Sequence, residues 1–116
     1  MVMERFTKMT KTGKVTVLHS FNYDGTDGFY PYSGVVLDTA GNIYGTTYEG
    51  GTNYYYGTVY KISPTGTETI LHSFKNDGTD GFYPWAGVVL DTAGDIYGTT
   101  YEGGAYGYGT VFKVIP

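Results

Sequence analysis

The chain has 116 residues, no cysteine and a formal net charge of -4. These values exclude disulfides, zinc–thiolate sites and thiol catalysis, and the few basic residues form no footprint for a nucleic acid. Glycine (19) and tyrosine (14) are over-represented and no window has a helical apolar period, so the composition predicts a single all-β domain.

The first 14 residues lack the apolar centre of a secretory signal, and no apolar run approaches the length of a membrane span. Phe6-Thr7-Lys8-Met9 aligns with Val59-Tyr60-Lys61-Ile62 at an offset of 53. Lys11-Thr12-Gly13 is then a turn matching Pro64-Thr65-Gly66, and residues 15–21 form a strand matching 68–74. A connection rich in Gly, Asp and aromatics follows at 22–33. Residues 34–51, GVVLDTAGNIYGTTYEGG, read as a hairpin: a β-branched run, the turn Asp38–Asn42, and a second β-rich run. After a connection at 49–56, a second hairpin spans 57–63 and 67–74. The same order then returns and stops at Pro116.

Residues 18–51 and 71–104 differ at five positions only: Asn22/Lys75, Tyr23/Asn76, Tyr32/Trp85, Ser33/Ala86 and Asn42/Asp95. A period of 53 residues with four strands per repeat is the signature of a propeller blade. The strands are a (34–38), b (42–48), c (57–63) and d (67–74). The chain therefore reads c-d, a-b-c-d, a-b-c. The expected fold is an all-β β-propeller fragment with two four-stranded blades: edge strands at 1–21, blade repeat 1 at 22–74 and blade repeat 2 at 75–116. A β-solenoid would use shorter coils, and a sandwich has no need of two near-identical halves.

The pattern D-x-x-G-N-I-Y-G-T-T-x-x-G-G, followed by G-T-V-F-K-x-x-P-x-G-x-x-x-x-L-x-S-F, resembles the GloVer-type tandem repeats of bacterial choice-of-anchor proteins. The hairpin alone also looks like an NHL-type blade. The resemblance covers about 6–116 and implies β-propeller blades, usually in long extracellular or cell-envelope proteins. It implies no particular activity, cofactor or ligand.

A blade buries both sheet faces against its neighbours, so two blades leave two faces bare. The expected partner is the chain itself. Three copies would complete about six blades and four about eight, with an open head-to-tail filament as the alternative. The strand at 15–21 is a spare d strand and can close the last blade of a neighbouring chain as a velcro. The trimer is favoured by the NHL-type likeness.

Antiparallel strands put the plain a–b and c–d turns on one face and the long d–a and b–c connections on the other. The second face is aromatic and acidic. It carries Asp24, Asp27, Tyr30, Tyr32 and Glu49, then Asp77, Asp80, Tyr83, Trp85 and Glu102, with Asn53 among the remaining loop residues. Aromatic platforms beside carboxylates suit sugars, so these ten residues are the candidate ligand-binding set and glycans the candidate ligand. The same rings can instead plug gaps between blades. Asp24-Gly25-Thr26-Asp27 and Asp77-Gly78-Thr79-Asp80 fit either a calcium loop or an Asx turn. No metal or cofactor is expected. His19 and His72 have no local sequence partner and read as structural. Glu49 and Glu102 have the residue type of glycosidase acids, yet they recur unchanged in both repeats, so no catalytic residue is expected. The function expected is that of a non-enzymatic, self-assembling structural module, with a lectin-like propeller as the alternative.

Overall fold

A computed structural model describes the backbone of residues 5–9, and residues 13–52 and 54–116 in full. The turn residues Lys11 and Thr12 and the loop residue Asn53 lie outside the described residues. Among the described residues the protein is all-β, without helix, and built of five small antiparallel sheets. No helix there is long and apolar enough to cross a membrane.

The chain runs β1 (Arg5–Met9), β2 (Val15–Ser20), β3 (Gly28–Phe29), β4 (Val36–Leu37), β5 (Ile43–Thr47), β6 (Glu49–Gly50), β7 (Thr58–Ile62) and β8 (Glu68–Ser73). The second repeat gives β9 (Gly81–Phe82), β10 (Val89–Leu90), β11 (Ile96–Thr100), β12 (Glu102–Gly103) and β13 (Thr110–Val114). The central sheet has the order β4-β5-β7-β8, which is the expected succession a-b-c-d. The second repeat forms β10-β11-β13, and β1 pairs with β2.

The hairpin turn is held by one side chain. Asp38 Oδ1 accepts the backbone N–H groups of Ala40 (3.0 Å) and Asn42 (2.9 Å), while Oδ2 accepts Asn42 Nδ2 (2.9 Å) and the Tyr44 hydroxyl (3.0 Å). Gly41 supplies the left-handed step at φ 88°. Asp91 repeats the arrangement with Ala93, Asp95 and Tyr97. Four acceptor contacts, the Asn42 side chain foremost, hold the Asp38 carboxyl below its usual range.

Successive residues of β7 point to opposite faces, and both faces are buried. Val59 joins Tyr44, Phe74, Phe82, Val88 and Ile96 in a core between the four- and three-stranded sheets. Tyr60 and Ile62 pack on the other side with Leu18, Phe21, Ile43 and Ile70, so β2 covers that face. The sheets therefore stack face to face in the order β1-β2, β4-β5-β7-β8, β10-β11-β13.

The two long connections differ from expectation. Each is pinned by a two-residue ladder: β3 pairs with β6 (Gly28↔Gly50, Phe29↔Glu49), and β9 pairs with β12. Gly28 sits over the Thr47 and Thr58 hydroxyls, which are 2.7 Å apart, and Gly81 sits over the equivalent Thr100 and Thr110. Any side chain at Gly28 would occupy the space of those hydroxyls.

Candidate functional site

The ladders hold the loop residues in fixed places. The Tyr48 backbone N–H donates to the Tyr30 carbonyl (3.0 Å), and that of Tyr101 donates to the Tyr83 carbonyl (2.9 Å). Tyr30 and Tyr83 are both left-handed, at φ 60° and 58°. A non-glycine residue there costs about 1–3 kcal/mol and persists only where its surroundings over-determine it. The same strained backbone step thus occurs in both repeats, at the base of the aromatic cluster.

The cluster is continuous across the two repeats. Trp85 stacks on Tyr32 (centroids 5.8 Å, 18° between planes) and meets the edge of Tyr48 at 5.2 Å. Tyr48 stacks on Tyr83 at 4.8 Å, Tyr101 lies 5.4 Å from Trp85, and Tyr30 lies 6.4 Å from Tyr32. Trp85 remains 55% exposed. Burial raises the Tyr48 phenol, and the negative charges of Glu102 and Glu49 add to the shift, so both carboxylates act on the same ring. The structure therefore brings Tyr30, Tyr32, Tyr83, Trp85, Glu49 and Glu102 together. Tyr48 and Tyr101, the last residues of strand b in the two copies, belong with them. Their signal was the aromatic that follows Thr-Thr in each copy, at the end of a strand that opens onto this face.

The four loop Asp residues do not join that cluster as free acceptors. Asp24 Oδ1 accepts Thr26 N–H (3.0 Å), Thr26 Oγ1 (3.0 Å) and Asp27 N–H (2.9 Å). Asp77 repeats this with Thr79 and Asp80, and the Asp80 and Thr79 backbone bonds push its carboxyl down to about 2. These are Asx turns, and an oxygen already taken by three donors is a poor calcium ligand.

Asp27 and Asp80 turn inward and give the two histidines partners eight residues away, which local spacing did not show. His72 Nε2 lies 2.8 Å from Asp80 Oδ2. His19 Nε2 lies 3.0 Å from Asp27 Oδ2, which also accepts the Asn22 N–H at 3.2 Å. A third group stands beside the first pair: Glu68 Oε2 is 3.2 Å from His19 Nε2. Burial, followed by the neighbouring Asp27, pushes the Glu68 carboxyl up to about 8. The partners of His19 lie 8 and 49 residues away on separate elements, so spacing in the sequence gave no sign of the triad.

The profile of the Gloeobacter/Verrucomicrobia repeat matches residues 5–116. The chain belongs to this family. The match spans both hairpin copies and bears out the resemblance carried by the GNIYGTT and GTV-F/Y-K segments. No curated protein and no solved structure matches this Gloeobacter/Verrucomicrobia repeat chain.

Proposed function

We propose that this chain is a non-enzymatic structural module whose sheets are β-propeller blades and which assembles with copies of itself. One observation carries the reading: equivalent positions of the two repeats differ in burial. Val59 of β7 is fully buried, whereas Val111 of β13 is 81% exposed. Thr46 is 2% exposed, and its counterpart Thr99 is exposed. The face and outer edge that β8 and β10-β11 cover in the first repeat are bare in the second.

The strand that fits this edge is β2 of another copy. β1–β2 and β7–β8 share one pairing geometry, including the same irregularity: Phe6↔His19 then Thr7↔Val17, and Val59↔His72 then Tyr60↔Ile70. β13 has the same T-V-aromatic-K-aliphatic sequence as β7. It can take the place of β1 on β2, so assembly exchanges a short internal pairing for an intermolecular one. Repeated head to tail, the exchange gives a ring of about three or four chains, or a filament if the rotation does not close. The exact recurrence of Glu49 and Glu102 supports a non-catalytic role, because a single active site would need differentiated copies.

Light scattering after size exclusion tests the assembly. The wild-type chain should elute as an oligomer and Val111→Lys as a folded monomer. Removing residues 1–9 should shift the equilibrium further toward oligomer.

A second reading concerns the aromatic cluster. An exposed Trp85 stacked on Tyr32, beside a Tyr48 ring on which Glu49 and Glu102 act, supports weak, multivalent carbohydrate binding on that face. Trp85→Ala should abolish a sugar-induced fluorescence change while leaving the oligomer intact. A glycan array without hits would remove this reading.

A further inference from the structure

We propose that His19, Asp27 and Glu68 form a zinc-binding site that ties β2 and the loop after it to the central sheet. The three come from separate elements: β2, the β2–β3 connection and the first residue of β8. One ligating atom from each lies within 4.8 Å of the others. His19 Nε2 is 3.0 Å from Asp27 Oδ2 and 3.2 Å from Glu68 Oε2. Ligands about 2.1 Å from a tetrahedral zinc stand about 3.4 Å apart, so small side-chain adjustments suffice.

The site also holds buried carboxyl oxygens that its hydrogen bonds leave unsatisfied. Asp27 is only 4% exposed and points at the other two groups, yet its Oδ1 is buried and accepts no hydrogen bond among the described residues. Glu68 Oε2 is likewise buried without one. Two buried carboxyl groups facing each other need a proton or a cation between them. His19 Nε2 can supply one N–H at most, and it stands 3.0 Å from Asp27 Oδ2 and 3.2 Å from Glu68 Oε2.

The donor set selects the ion. One imidazole nitrogen with two carboxylate oxygens suits zinc, whereas calcium takes six to eight oxygens. Phe21 packs edge-on against the His19 ring at 4.7 Å and helps fix its orientation. The second repeat supplies an internal control. His72 and Asp80 keep the pair at 2.8 Å, but no third ligand joins them among the described residues. All three ligands belong to one chain, so the site is independent of the assembly proposed above.

The test is calorimetric titration of the EDTA-stripped protein with Zn2+ alone, alongside thermal melts. The wild type should bind one saturable equivalent per chain and melt at a higher temperature with zinc. Glu68→Gln should bind at least about tenfold more weakly. Circular dichroism should show it folded in the absence of metal. His19→Gln should also lose the binding, and His72→Gln should retain it. Absence of saturable binding by the wild type, wild-type affinity in Glu68→Gln, or loss of binding in His72→Gln would each overturn the proposal.

Discussion

Asp77 shows how a single side chain can organise a loop that two chemistries would explain equally well. Its Oδ1 takes three donors from Thr79 and Asp80, and those bonds favour the ionised form. The folded carboxyl titrates near 2 against an ordinary 3.8, so its contribution is complete above about pH 3.8 and is lost as the pH falls through 2. Asp77→Ala should therefore lower the melting temperature at pH 7, and the gap from wild type should narrow as the pH falls from 4 to 2. A gap constant across that range would contradict the assignment. Gly28 offers a steric counterpart. Gly28→Ala drives a methyl into the Thr47–Thr58 hydroxyl pair, and chemical denaturation should show a loss of about 1–3 kcal/mol. Trp85, more than half exposed, should lose only about 1 kcal/mol on change to Ala. Fully buried Tyr60 should lose about 3–5 kcal/mol.

At the scale of the strand, the two repeats provide a comparison within one molecule. Val59→Ala removes methyl groups from a closed core and should cost about 2 kcal/mol. Val111→Ala, at the equivalent position on β13, should cost almost nothing in a monomer and a similar amount once a neighbouring strand covers it. Measuring both variants below and above the assembly concentration reads the difference directly. The strands themselves were legible in the sequence, because Val-Val-Leu, Ile-Tyr-Gly-Thr-Thr and their turn residues carry local signals that the copy repeats. The β3–β6 and β9–β12 ladders were not, since two-residue strands have no period to detect. The aromatic face was legible for Tyr30, Tyr32, Tyr83 and Trp85, which stand in one loop sequence. The triad of His19, Asp27 and Glu68 was not, because it depends on β2 packing across β8, a relation that no spacing within either strand encodes.

At the scale of the whole molecule, the central sheet is enclosed on both faces and the sheets beside it are each enclosed on one. Stacked β-sheets of this kind bury apolar residues on either side of each strand, which is why Ile70 and Leu71, packed against the two opposite cores, do not alternate with polar residues. The bare outer face of the second repeat exposes Val89 and Val111 together with the unpaired edge of β13. An edge of this type associates unless charge or a cover protects it. In the proposed assembly β2 of a second copy would supply the cover, with a pairing geometry already present twice in the chain. The most direct test is the absolute mass of the wild-type chain by light scattering. The account predicts an assembly of at least three times 12.7 kDa, discrete at three or four chains where the ring closes. A stable, folded species of 12.7 kDa at all accessible concentrations would contradict it.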